Sequence, residues 1–196
     1  MSLLVKICGM TDEAAIDAAV EAGADALGFV FYASSPRNLV PQRARALAAR
    51  VPSQVRRVAV MLHPDGALWE AVAQVLRPDV LQTDHEDLAR LQVDPGIELW
   101  PVLREGALPA RLPSAFVYEG RRSGKGETVD WRVAAGIARC GRMILAGGLD
   151  AANVAEAIAI VDPWGVDVSS AVESRPGIKD ADKVRAFIEA ARSVRE

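Results

Sequence analysis

The chain has 196 residues, 51% of them hydrophobic and 25% charged, with 23 basic and 26 acidic side chains and a formal net charge of −3. At about 100–200 residues per domain this is one domain or at most two small ones, and the apolar content excludes disorder. The acidic balance argues against a general nucleic-acid binder, the two cysteines are too few for a disulfide scaffold, and no run approaches the roughly 20 apolar residues of a membrane span.

The N-terminal stretch MSLLVKICGMTDE lacks a basic leader region, so neither a signal peptide nor an anchor is expected, and a reducing cytoplasm is the expected compartment. Short apolar runs follow one another along the chain: LLVKICG (3–9), ADALGFVF (24–31), RRVAVML (56–62), PDVLQT (78–83), IELWPVL (97–103), AFVYEG (115–120), RMILAGG (142–148) and GVDVSS (165–170). Their Val, Ile, Leu and aromatic content, bounded by Gly, Pro or charge, predicts buried strands. Helix-like stretches lie between them. DEAAIDAAVEAG has Thr11 and Asp12 as cap candidates and ends on Gly23. PQRARALAARV starts with Pro41, where a first-turn proline is tolerated. GALWEAVAQVL, the short EDLARL, VDWRVAAGIARCG, AANVAEAIAIV and DADKVRAFIEAARSVR continue the series, and only GALPARLPS, after the fifth run, lacks helical length.

Strands that alternate with helices predict an α/β protein with a parallel sheet, either open and doubly wound or closed. Eight runs favour the closed (β/α)8 TIM barrel, with a reduced helix after strand five, and no linker interrupts it, so residues 1–196 are expected to form a single domain. Such barrels place their active sites at the C-terminal ends of the strands.

Residues at those ends carry the candidate chemistry. Lys6 and Cys8 share one face of the first strand, and outward-facing Val5 and Ile7 would turn them into the barrel. A lysine beside a thiol favours the thiolate, which can act as base or nucleophile; a small buried cysteine without chemistry is the alternative. Arg37, in the loop after the second strand, can clamp an anionic oxygen pair or simply be solvated. Glu119 ends the sixth strand and can serve as a general acid if burial keeps its proton on. Gly124 and Gly126 in the following loop, Gly147 and Gly148 after the seventh strand, and Ser169 and Ser170 after the eighth suit close approach of a phosphate, although tight turns would also account for the glycines. His63 and His85 lack a second ligand at metal spacing, so no metal site is expected.

Taken together, the segments VKICGMT, ADALGFVFYASSPR, RRVAVML, SGKGETVDW, ILAGGLDAANVAEAI and GVDVSSAVE resemble the phosphoribosylanthranilate isomerase family over the whole chain. The resemblance implies a (β/α)8 barrel and an Amadori rearrangement in tryptophan biosynthesis. In that reaction N-(5′-phosphoribosyl)anthranilate becomes 1-(o-carboxyphenylamino)-1-deoxyribulose 5-phosphate. It assigns the base to Cys8 and the clamp for the anthranilate carboxylate to Arg37. It puts the phosphate on the amides of Gly124, Gly126, Gly147, Gly148, Ser169 and Ser170, and places Asp167 near the ribose. No cofactor is implied, and the partner is a phosphorylated small molecule. A monomer is expected, with a homodimer as the alternative.

The sequence departs from the family pattern in several places. The family acid is an aspartate where Glu119 stands; the common Gln-Leu-His-Gly is here Gln82-Thr83-Asp84-His85; Ser-Gly-Val-Glu is here Ser170-Ala171-Val172-Glu173; and Lys125 lies inside the glycine loop. Two rivals follow. One is a histidine-pathway isomerase on the same barrel, which would carry a carboxylate where Cys8 sits. The other is a barrel that binds a phosphorylated ligand without turnover.

Overall fold

The computed structural model describes residues 3–121 and 128–194. The parallel strands are β1 (Leu4–Cys8), β2 (Ala26–Phe31), β3 (Arg56–Met61), β4 (Val80–Gln82), β5 (Glu98–Leu99), β6 (Val102–Arg104), β7 (Ala115–Glu119), β8 (Arg142–Leu145) and β9 (Gly165–Val168). Their order in the sheet is β5-β4-β3-β2-β1-β9-β8-β7-β6. The run at 97–103, expected as one strand, is two pieces, β5 and β6, because Pro101 between them has no N–H to give a ladder. The amides of Trp100 and Val102 donate to Leu81 and Thr83 on one side (2.9 and 2.8 Å), and the Pro101 carbonyl accepts from Val117 on the other at 3.0 Å. The broken strand therefore closes the sheet, and the fold is the expected (β/α)8 barrel.

Helices α1 (Glu13–Glu21), α2 (Pro41–Ala48), α3 (Gly66–Leu76), α4 (Trp131–Ala138), α5 (Val154–Val161) and α6 (Ala181–Arg192) surround it. Asp12, Asp65, Asp130 and Asp180 cap four of them, each carboxylate accepting an otherwise orphaned first-turn amide, worth about 1 kcal/mol per cap. Thr11, the other cap candidate, instead donates its hydroxyl to the Gly177 carbonyl at 2.6 Å. No helix separates β6 from β7, as the composition of 106–114 predicts, and the unit after β4 is also reduced, to a 3-10 turn at His85–Arg90. An unforeseen antiparallel hairpin, β10 (Glu173–Arg175) with β11 (Ile178–Lys179), follows β9. Among the described residues no helix is long and apolar enough to cross a membrane.

Two apolar layers follow from strand alternation. Val5, Ile7, Leu27, Phe29, Phe116 and Leu145 pack outward against the helices. Leu4, Ala26, Val58, Val80, Val117 and Ile144 fill the barrel itself. Each buried aliphatic side chain contributes about 1.5–3 kcal/mol. Trp100 and Trp164 meet edge to face with centroids 5.9 Å apart. Arg56 and Arg142 lie over their rings and both pair with Glu98, which seals the end of the barrel opposite the loops described next.

Candidate active site

Because every barrel strand runs the same way, the C-terminal ends of β1, β2, β4, β7, β8 and β9 meet around one cavity of about 720 Å³. It is lined by Cys8, Arg37, Gln82, Asp84, Glu119, Gly147, Gly148, Asp167, Ser169 and Ser170, among others. Eight of the ten proposed site residues are thus brought together; Gly124 and Gly126 lie outside the described residues.

The register of β1 against β9 makes Lys6 and Asp167 direct neighbours, both facing into the barrel. The Lys6 ammonium, fully buried, donates to Asp167 Oδ2 at 2.7 Å. Burial works against the Lys6 charge, but Asp167 and Cys8 outweigh it and hold the ammonium above its ordinary range. Asp167 lines the cavity, and its Oδ1 is buried without a protein partner. Cys8 sits two residues beyond Lys6, opposite Gly28 in the register, where a Cβ would lie only 2.9 Å from the sulfur. A glycine there leaves room for the thiol. Burial pushes the Cys8 thiol above its usual value, Asp167 adds to that, and Lys6 pulls the other way without overcoming it. Lys6 thus favours the thiolate, as expected, but burial outweighs it, and the thiol stays above its usual value.

Across the cavity, β6 and β7 set Arg104 opposite Glu119. Arg104 Nη2 lies 3.2 Å from Glu119 Oε1 and 2.7 Å from Asp84 Oδ1. The Asp84 bond is the main reason the guanidinium is held above its ordinary value, with Glu119 secondary. Sequence reasoning missed Arg104 because its two partners, Asp84 and Glu119, come from two other strand ends. Asp84, an altered position in the strand-four motif, belongs to the cavity wall, whereas His85 starts the 3-10 turn. His63 is exposed; its ring approaches Asp87 at 3.1 Å and Asp84 at 3.7 Å. Arg104 and Thr83 already engage those two carboxylates.

Arg37 is placed at the cavity rim by the Ser34–Arg37 loop, where the Ser35 hydroxyl accepts the Arg37 amide at 3.1 Å. Its side chain crosses Gly9, whose φ of +84° and 2.4 Å clearance from a built Cβ to Arg37 Cδ both demand glycine. The guanidinium is not free, as expected of a solvated arginine or an empty clamp. Nε and Nη2 donate to the two oxygens of Glu173 at 2.7 and 2.8 Å.

Gly147 and Gly148 adopt φ of +88° and +63°, and the Asn153 side chain fixes their loop by donating to the Gly148 carbonyl at 2.9 Å. The Ser169 hydroxyl donates to the Cys8 carbonyl at 3.0 Å, which ties the serine loop to the end of β1. Gln82, also unforeseen, is buried in the wall with its Oε1 unpartnered. Its place at the end of β4, as the unchanged first residue of the altered motif, was the available signal.

A closed (β/α)8 barrel with a polar cavity at its C-terminal strand ends is the architecture of barrel enzymes acting on small molecules. The family model described as N-(5′-phosphoribosyl)anthranilate (PRA) isomerase matches residues 5–190. The chain is 41% identical to the N-(5′-phosphoribosyl)anthranilate isomerase of Paramagnetospirillum magneticum over the full length of both proteins. Its fold is similar to the crystal structure of TrpF from Jonesia denitrificans, with a TM-score of 0.83 and 37% identity over 98% of each chain. It is also similar to a phosphoribosyl anthranilate isomerase in complex with reduced 1-(o-carboxyphenylamino)-1-deoxyribulose 5-phosphate, with a TM-score of 0.78 and 29% identity over 97% of this chain and 99% of that one. The chain belongs to the phosphoribosylanthranilate isomerase family.

Proposed function

We propose that this chain isomerises N-(5′-phosphoribosyl)anthranilate to 1-(o-carboxyphenylamino)-1-deoxyribulose 5-phosphate, a step of tryptophan biosynthesis, by general acid–base catalysis. The observation that carries the residue assignments is that Cys8, Arg37, Glu119 and Asp167, from four different strand ends, line one cavity.

In the reaction a proton reaches the furanose ring oxygen, the C1–O bond breaks, and the nitrogen lone pair forms a C1=N Schiff base. Loss of the C2 proton then gives an enolamine, which tautomerises to the ketone. Acid and base must stand on different sides of the sugar. β1 and β7 are separated by β9 and β8 in the sheet, so Cys8 and Glu119 flank the cavity from different walls. Glu119 supplies the first proton, and Cys8, acting from its minor thiolate form, takes the second. Arg37 holds the anthranilate carboxylate. Asp167, which lines the cavity and has an unpartnered Oδ1, accepts a ribose hydroxyl. The amides of the loops at Gly147–Gly148 and Ser169–Ser170, with the Gly124–Gly126 loop, hold the phosphate. All these residues belong to one chain, so a single barrel domain over 1–196, working as a monomer, suffices for the chemistry.

Turnover of phosphoribosylanthranilate by the purified protein, followed by loss of substrate fluorescence, tests the reading. Steady conversion supports it. Binding of the reduced product analogue without conversion would leave the non-catalytic barrel, and neither would overturn the reading altogether.

A further inference from the structure

Resting on that function, we propose that Glu173, backed by Lys179, is a positioning residue that presents Arg37 to the substrate carboxylate. A guanidinium has five N–H donors in a fixed plane. Glu173 takes the side edge, Nε and Nη2, in a bidentate bond. This leaves the Nη1/Nη2 end edge as the fork for a second carboxylate, and a fork held from behind loses little freedom when it binds.

Glu173 is itself held. The Lys179 ammonium, whose side chain is fully buried, donates to Glu173 Oε1 at 2.9 Å and to the Ser169 carbonyl at 2.9 Å. Lys183 donates to the Glu173 carbonyl at 2.8 Å. Ser169 in turn donates to the Cys8 carbonyl. One chain of contacts thus runs from the carboxylate fork, through the β10–β11 hairpin, to the serine loop and the end of the base-bearing strand. The hairpin's turn also fits closely under the Arg37 loop: a Cβ at Gly177 would lie 2.5 Å from the Pro36 carbonyl oxygen. The hairpin is not part of the eight βα units, so the barrel does not need it to close. Through Glu173 and Lys179 it reaches both Arg37 and Ser169.

The test is a pair of affinities measured by calorimetry: reduced 1-(o-carboxyphenylamino)-1-deoxyribulose 5-phosphate, and the same compound without its ring carboxyl. The wild-type protein should prefer the carboxylated ligand. Glu173→Gln and Glu173→Ala should weaken that ligand roughly tenfold to a hundredfold, the usual range for one charged hydrogen bond, and leave the other within about twofold. Adding Glu173→Gln to Arg37→Ala should cost nothing further, because the two act through one contact. Equal weakening of both ligands would mean a general structural role and would overturn the proposal, as would unchanged binding of both or additive losses in the double variant. A wild-type protein with no preference for the carboxylated ligand would instead overturn the assignment of Arg37.

Discussion

Lys6 and Asp167 form a buried ion pair at 2.7 Å in the floor of the cavity, side by side because β1 and β9 pair in register at these two residues. Removing one member leaves a charge in the barrel with no partner, at a cost of roughly 3–5 kcal/mol, while removing both is far milder. Lys6→Met should therefore lower stability by several kcal/mol in urea, and adding Asp167→Asn should restore most of it. A double variant no more stable than Lys6→Met would show that the two charges do not compensate each other.

The same pair borders Cys8, whose state burial sets. With the thiol pushed up by burial, the thiolate is the minor form at neutral pH and accumulates only as pH rises through the raised value. In a Cys140→Ser background, which removes the other free cysteine, the ultraviolet thiolate signal should titrate above the usual ~8.5 of a free cysteine. A thiolate already formed at pH 7 would contradict the burial argument. Cys8→Ser should nearly abolish turnover and keep ligand binding, since a hydroxyl is too weak a base; a variant with most of its kcat would remove Cys8 as the base.

Arg37→Ala should raise KM by the equivalent of about 1.5–3 kcal/mol, the range for a charged hydrogen bond. It also leaves Glu173 half-paired, with Lys179 as its remaining side-chain cation, so a small loss of thermal stability should accompany the KM effect. An unchanged KM would place the guanidinium outside the substrate's reach.

Glu119→Gln should lower kcat by about 10²–10⁴-fold with the substrate still bound. Glu119→Asp restores the residue typical of the family, yet the contact to Arg104 is made by the longer arm. Shortening it withdraws the carboxyl by about 1 Å, a displacement that can cost on the order of 10²-fold. The aspartate variant should thus be slower than wild type. An equally fast one would show that the backbone already suits either acid, and wild-type kcat in Glu119→Gln would remove the residue from the mechanism.

At the opposite end of the barrel, Trp100 is fully buried against Trp164 and under Arg56. Trp100→Ala should cost about 3–5 kcal/mol, a fall in Tm on the order of 10 °C, with KM unchanged at temperatures where the barrel stays folded. A matching change in KM would show that this seal also shapes the cavity.

The strand runs, their number and their alternation with helices were legible in the sequence, because burial on both faces of a parallel strand writes a local apolar signature. Cys8, Asp167 and Glu119 stood out at or beside the ends of apolar strands and Arg37 in the loop after β2, and all four line the cavity. What only the tertiary structure decided is which charges meet. Glu173 reaches Arg37 across 136 residues of chain, Asp167 reaches Lys6 across 161, and Arg104 joins Asp84 to Glu119 from three strands. No local pattern records such pairs, because they follow from strand register and barrel closure. Yet such pairs, at a few ångströms in a buried site, set the direction in which Arg37 points, and burial sets the protonation of Cys8. The run at 97–103 reads as one strand; that it breaks at Pro101, and that the two pieces still close the barrel, depended on the carbonyls and amides of the strands on either side.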